Sequence, residues 1–433
     1  MSSSSKNQTN TKWKQLFTKY KVLDQIKAHG RFGISATQIK NCTGREPRLM
    51  VKFDHTINLP QIFSDNNLSI LPVTRGDYII ANFDAYHKFE SDDTPITRAS
   101  LPTYIQSLDS NNISSEIIAL NCAVASGIVK DFLQDEGIVS TVSGRMGSGD
   151  FGFSIANING GSSYAMQVSK SQIEIDAAYE GVNGLALFEA KLDLSEDFLI
   201  RQLYYPFRVW KERITKPVRT IFLVYSNGIY RLFEYGFQDM NNYNSLVLLK
   251  QKNYAIEDTA IELTDIQTVL RNVKNLPEPQ MPFPQADSFK RVINVCELIS
   301  EQELTRNDVT EQYAFDVRQT NYYTDAARYL GLLEKKTDGG YPVYKLSKTG
   351  RRILNLNFKQ RQLAYCRCVL SYKAFRDTLR QYFKSGNMPS TPEIVQIMKK
   401  ANLYNVESDS TFERRSSTIK SWVNWIVDLI NQD

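Results

Sequence analysis

Histidine is scarce in this chain: 433 residues hold only His29, His55 and His87. That argues against a multi-histidine metal centre, and no H-E-x-x-H motif is present. Cysteine is almost as rare. Cys42, Cys122, Cys296, Cys366 and Cys368 form no C-x-x-C pair, and an odd number does not suit a disulfide framework. They read as reduced, mostly buried thiols of a cytoplasmic protein. Cys366 and Cys368 lie two apart in a predicted helix, face different ways and do not chelate together. No run of 18 apolar residues occurs, so no membrane-spanning helix is expected. Residues 1–11 lack the apolar centre of a signal peptide and read as a flexible tail. An excess of one charge is missing too: 52 Lys and Arg against 47 Asp and Glu leave a net charge of +5. That permits a polyanionic partner without demanding one. What the chain does have is length for two or three domains, 42% hydrophobic and 23% charged residues, and 45 Tyr and Phe. Collagen-like and wholly disordered chains are excluded.

The organisation follows from periodicity and punctuation. Leu16, Tyr20, Leu23 and Ile26 predict a helix over 12–28, stopped by Gly30 and Gly33. Ser35-Ala36-Thr37-Gln38 carries the signature of a capped second helix ending near Gly44. Residues 45–63, 68–71 and 78–83 read as short strands between turns. A long helix is predicted over 114–134, capped by Ser114 or Ser115. The glycine-rich stretch 143–163 lacks the P-loop pattern and reads as a flexible loop or hairpin. Strands are expected at 172–179, 184–191, 220–225 and 229–235, the last two joined by a hairpin at Asn227-Gly228. A helix is predicted over 198–214. This order implies an α/β layered core. Residues 275–285 hold four of the 14 prolines and read as a linker. Beyond them, helices at 288–304, 307–313 and 317–333 precede a hairpin with Asp338-Gly339-Gly340 at its tip, the winged-helix order. The rest is helical, with a loop near 388–392.

One constellation carries chemistry. Glu189 and Lys191 project from the same face of a strand, while Phe188 and Ala190 point into a core. Asp176 lies on the preceding strand, and pairing the two through the turn at Gly181 and Gly184 sets it beside Glu189. Two adjacent carboxylates repel and favour a cation between them. Oxygen ligands of this kind suit Mg²⁺, which keeps waters for its substrate, and an adjacent lysine stabilises charge on a phosphate or helps acidify water. A second acid-x-Lys triplet, Glu334-Lys335-Lys336, follows a helix end and reads as a solvated charge run.

Asp176, Glu189 and Lys191 match the D-x(n)-(D/E)-x-K pattern, and here the chain resembles the PD-(D/E)xK nuclease superfamily. The resemblance implies that Asp176 and Glu189 hold the metal and that Lys191 assists the attacking water. Gln202 and Tyr205 lie on the following helix, where relatives place a supporting Gln and sometimes a Tyr. Pro206 is expected to kink or restart that helix. Ile175 stands where some members have proline. Glu116, near the start of the long helix, matches the position where many relatives carry a further acidic ligand. Taken whole, the chain resembles a type II restriction endonuclease. That implies Mg²⁺, double-stranded DNA as substrate, a homodimer, a cognate DNA methyltransferase as functional partner, and no membrane.

The expected organisation is a tail over 1–11, a helix-turn-helix-like DNA-recognition module over 12–100, and a nuclease core of mixed sheet flanked by helices over 101–274. A Pro-rich linker over 275–286 and a winged-helix and helical domain over 287–433 follow. DNA contacts are expected from Ser143, Arg145 and Ser148 ahead of the catalytic strands. Arg318, Gln319, Asn321, Tyr322 and Tyr323 begin the third helix, where a recognition helix meets base edges. Lys345, Lys348, Arg351 and Arg352 are expected to line the wing. Two other readings stay open: a repair or recombination nuclease of the same fold, and a non-enzymatic winged-helix regulator that binds DNA without cutting it.

Overall fold

The computed structural model describes residues 5–90, 94–256, 260–300, 302–312, 317–338 and 341–430. Its centre is a seven-stranded mixed sheet. In chain order the strands are β1 (Ile96–Ala99), β2 (Val139–Gly147), β3 (Gln172–Glu180), β4 (Leu185–Lys191), β5 (Val218–Ser226), β6 (Ile229–Phe237) and β7 (Leu246–Ile256). They lie in the order β1-β7-β6-β5-β4-β3-β2. The β4–β5 and β7–β1 pairs are parallel and the others antiparallel.

Helices cover both faces, which is why the central strands are apolar on both sides. Helix α1 (Glu116–Ala125) packs with Phe188, Ala190, Ile221 and Leu223 on one face. Helix α2 (Arg201–Arg213) packs with Leu187, Phe222 and Val224 on the other. The two-residue period of β4 therefore sends Leu187, Glu189 and Lys191 toward α2 and Phe188 and Ala190 toward α1. The Asn227-Gly228 turn forms as expected: both residues have positive φ, 56° and 76°, and Ser226 pairs with Ile229.

Several expectations change. Residues 5–11, expected as tail, belong to the helix Ser5–Tyr20; residues 1–4 lie outside the described residues. Arg45 Nη1 donates to Thr9 Oγ1 at 2.7 Å and the Gln61 amide to Asn10 Oδ1 at 2.8 Å, so polar anchoring orders a segment with no apolar signal. The helix predicted over 12–28 is broken at Lys21, which is left-handed at φ 48°. The Ser35–Gln38 capping box is present and Gly44 closes that helix. Residues 45–63, expected as strands, form two short helices, Pro47–Val51 and Gln61–Ser64, and a 3-10 turn at Thr56–Asn58. Pro47 sits in the first turn, where its missing N–H costs nothing. The long helix over 114–134 is divided by Gly127 at φ 78°. Of the two readings of the glycine-rich stretch, the hairpin holds and the flexible loop does not: the stretch has the end of β2 and then the strand Asp150–Ile155, paired antiparallel with Tyr164–Ser169. Helix α2 runs through Pro206 without a stop, giving up only the hydrogen bond a proline cannot donate.

The C-terminal part has its own core. Residues 275–286 form neither helix nor strand, as their prolines dictate, but are packed rather than free. Phe283 and Ala286 are buried, and Trp422 Nε1 donates to the Ala286 carbonyl at 2.7 Å. Helices Phe289–Leu298, Arg306–Gln312 and Val317–Tyr329 precede the antiparallel strands Leu333–Asp338 and Tyr341–Leu346. A short strand, Leu304–Thr305, adds a third to that sheet. Gly339 and Gly340 at the expected tip lie outside the described residues. The Glu334-Lys335-Lys336 run is exposed, but within the first strand rather than ahead of it. All five cysteines are free. Among the described residues no helix is long and apolar enough to cross a membrane.

Candidate active site

Strands β3 and β4 are antiparallel, with Leu185 opposite Glu180 and Phe188 opposite Ala177. One step further along this register sets Glu189 against Asp176. The juncture is fixed by the Ala190 amide, which donates to Asp176 Oδ2 at 2.8 Å. Lys191 Nζ lies 2.5 Å from Glu189 Oε1, and Gln202 Nε2, from the first turn of α2, donates to the same oxygen at 2.6 Å. The expected group of Asp176, Glu189, Lys191 and Gln202 is thus one connected cluster, built from two strand ends and a helix start. Tyr205 turns away: its hydroxyl donates to the Pro72 carbonyl at 2.9 Å.

The electrostatics are those of a charged group held in a poorly solvated place. Burial pushes the Glu189 carboxyl up to about 7, with Lys191 opposing and Asp176 adding to the rise. Burial works against the Lys191 charge as well, but Glu189, Asp54 and Asp176 more than offset it and hold the ammonium protonated. Glu189 Oε2 and Asp176 Oδ1 have no protein partner among the described residues. Gln202 Oε1 is buried with no hydrogen-bond donor among the described residues. Three acceptor oxygens without donors, on adjoining side chains, form a site short of positive charge.

This donor set fits a hard divalent cation. Mg²⁺ is ordinarily held by one or two carboxylates, with water and substrate oxygens filling the rest of its shell. Asp176 and Glu189 would supply the carboxylates. Glu116 lines the same cleft. Yet among the described residues no three His, Cys, Asp or Glu side chains gather closely enough to hold a metal on their own. The expected third acidic ligand is therefore not assembled at Glu116: α1 brings it to the cleft wall and no nearer.

The chain resembles three domain families in succession. Residues 10–80 match a domain of unknown function, DUF6996; residues 81–255 match another, DUF6997; and residues 291–431 match a third, DUF7226. No curated protein and no solved structure matches it. The cluster of Asp176, Glu189, Lys191 and Gln202 lies within the second match, on β3, β4 and α2.

Sequence reasoning missed what the first match contributes. The cleft around the cluster, about 420 Å³, is lined by Arg48, Lys52, Asp54 and Arg75 from the N-terminal module, as well as by Arg201. A second cleft of about 660 Å³ shares Lys52, Asp54, Glu116 and Lys191 with it and extends to Glu297, Ser300 and Gln302. The N-terminal module is fastened beside the cluster by a buried clamp. His55 Nδ1 meets the Asp197 carbonyl at 2.5 Å, and its Nε2 lies 3.4 Å from Asp193 Oδ2. Thr56 donates its amide to Asp197 Oδ1 at 3.0 Å, and its hydroxyl donates to Oδ2. Burial disfavours the His55 charge, but Asp193 and Asp197 outweigh it and raise the imidazole to about 10. The only local hint was the Asp54-His55 pair; its partners lie some 140 residues away in sequence.

The other expected residues are dispersed. Arg145 is exposed on β2 and pairs with Glu174 at 3.1 Å. Ser143 is exposed nearby. Ser148 is buried, its hydroxyl donating to the Gly149 carbonyl, so it does not reach the surface expected for a DNA contact. Arg318 is exposed at the start of the helix Val317–Tyr329, its Nε donating to the Tyr322 hydroxyl at 2.6 Å. Gln319 and Asn321 are half-buried, and Tyr323 is buried among core residues. Lys345 pairs with Glu334 across the two strands at 3.0 Å. Lys348, Arg351 and Arg352, expected on the wing, belong instead to the helix Lys348–Leu354 that Ser347 caps.

Proposed function

We propose that this protein is a Mg²⁺-dependent endodeoxyribonuclease of the PD-(D/E)xK kind, acting on double-stranded DNA as a type II restriction enzyme. The observation that carries the reading is the junction of Asp176, Glu189 and Lys191 at adjacent strand ends, with Gln202 on the shared carboxylate. A surface salt bridge needs no such arrangement: it does not bury a glutamate beside an aspartate, nor surround both with arginines.

In this reading Asp176 and Glu189 hold the cation. Bound there, the ion supplies Lewis acidity to the scissile phosphate and lowers the pKa of water. Lys191, kept protonated by its acidic neighbours, orients the attacking water and stabilises charge gathering on the phosphate. Gln202, donating to Glu189 Oε1, fixes the rotamer of that carboxylate. Sequence reading falls to the flanking modules. The C-terminal helices with their antiparallel strands support a winged-helix reading, in which Arg318, Gln319, Asn321 and Tyr322 face base edges and Lys345, Lys348 and Arg351 face phosphates. Arg145 and Ser143, on the exposed β2 edge, add backbone contacts. Two cuts in a palindromic duplex call for two copies of the chain, and a methyltransferase protecting the same sequence completes a cytoplasmic restriction pair.

Incubation with unmethylated phage DNA tests this. Discrete fragments in Mg²⁺ and intact DNA in EDTA are expected. DNA binding without cleavage at any metal concentration overturns the nuclease and leaves the winged-helix regulator. A non-sequence-specific smear favours a repair or recombination nuclease.

A further inference from the structure

Two arginines away from the cleft are neutralised by the protein itself. Arg219 makes a two-pronged pair with Glu234, both contacts at 2.7 Å. Arg208 donates to the carbonyls of Gly152 and Met240 and pairs with Glu212. Two cleft arginines differ. Arg201 opens α2, next to Gln202, with its guanidinium 5.6 Å from the ring of Tyr205; its Nε is buried and has no hydrogen bond among the described residues. Arg75 is exposed on the cleft rim and has no hydrogen bond or carboxylate among the described residues. For the half-buried Arg201, a guanidinium without an anion is costly unless a ligand completes it.

The backbone that carries Arg75 is held in place. Arg75 tips a four-residue turn in which Thr74 Oγ1 donates to Asp77 Oδ2 at 2.7 Å and accepts the amides of Gly76 and Asp77. The turn is tied down at three points: Tyr205 to the Pro72 carbonyl, the Ser169 amide to the Val73 carbonyl at 2.8 Å, and the Ala36 amide to the Gly76 carbonyl at 2.7 Å. Tyr205 thus links the two: its ring lies beside Arg201, and its hydroxyl holds the turn that carries Arg75.

We propose that Arg75 and Arg201 form an anion subsite for the phosphodiester next to the scissile one on the strand being cut, so that the N-terminal module supplies half of a substrate site rather than a remote reading head. The inference rests on the nuclease reading for its substrate. The chemistry suits it: a guanidinium's planar fork matches phosphate oxygens, and Tyr78, Ile70 and Pro72 give the same cleft an apolar wall on which a sugar or base edge can lie.

The test is the salt dependence of binding to a fluorescein-labelled mixed-sequence duplex, followed by anisotropy in EDTA so that no cleavage intervenes. It uses the full-length wild-type protein and the variants Arg75→Ala and Arg201→Ala. Loss of one phosphate contact lowers the slope of log K against log salt by about one and weakens binding to all sequences alike. Each variant is expected to show that loss. Arg75 is exposed, so its variant keeps the fold, and an unchanged melting curve confirms it. Slopes equal to wild type in a folded Arg75→Ala overturn the subsite, whether or not the wild type cuts phage DNA. A wild type that binds no duplex overturns it too. Reduced slopes in a protein that never cleaves keep the anion subsite and remove the nuclease.

Discussion

Lys191 and His55 are both buried cations beside two carboxylates, yet they do different work. Lys191 sits where two acceptor oxygens of Asp176 and Glu189 are still open, so its charge serves whatever arrives. His55 is enclosed by Asp193 and Asp197 and serves the fold. Lys191→Ala is expected to bind duplex DNA within a few-fold of wild type but to cleave at least about a hundred-fold more slowly. Single-turnover rates set beside anisotropy separate the two, and full cleavage by the variant removes Lys191 from the chemistry. His55→Ala leaves two buried carboxylates without their cation and is expected to cost about 3–5 kcal/mol, read from urea unfolding. The sign of the pH effect follows from a raised folded-state pKa. The contribution is fully present below the ordinary value of 6.5 and is lost as pH rises through about 10. The gap in stability between wild type and variant therefore narrows as the buffer becomes alkaline; a gap that widens contradicts the clamp.

At the scale of elements, what was legible in the sequence was local. The Ser35–Gln38 box, the Asn227-Gly228 hairpin and the alternation that parts Glu189 and Lys191 from Phe188 and Ala190 each depend on residues within one turn or one strand. The β3–β4 pairing followed because its connection is short. What escaped was set at a distance. Residues 45–63 look strand-like by composition, but they fold as short helices because the clamp to Asp197 and the hydroxyl of Tyr86, donating to the Phe53 carbonyl at 2.8 Å, hold them against the core. Breaks at Lys21 and Gly127 interrupt patterns whose apolar spacing continues across them. The same hairpin turn that was legible has a partner that was not. Asn227 exchanges two amide hydrogen bonds with the fully buried Gln362, at 2.8 and 3.0 Å, and its own amide donates to Glu297 at 2.7 Å. Asn227→Ala is expected to destabilise by about 1–3 kcal/mol, because Gln362 is left buried and unpaired. Limited proteolysis is expected to cut sooner between the sheet and the C-terminal part. An unchanged unfolding midpoint and digestion pattern contradict this joint.

On the scale of the whole molecule, the matched segments 10–80 and 81–255 line both adjoining clefts, and 291–431 reaches the larger of the two. The net charge of +5 is modest. Affinity for a polyanion therefore has to come from where the cations stand, with Arg48, Lys52, Arg75 and Arg201 concentrated around an acidic centre. Binding to DNA is expected to weaken steeply with salt, at a slope set by the number of these contacts rather than by net charge. The central claim remains the convergence of Asp176, Glu189 and Lys191 on one cation and one phosphate. Its most direct test is digestion of unmethylated phage DNA in Mg²⁺ by wild type and Asp176→Asn side by side. Discrete fragments are expected from the first and intact DNA from the second, although both bind it. An uncut substrate with wild type, or equal fragments from both proteins, contradicts it.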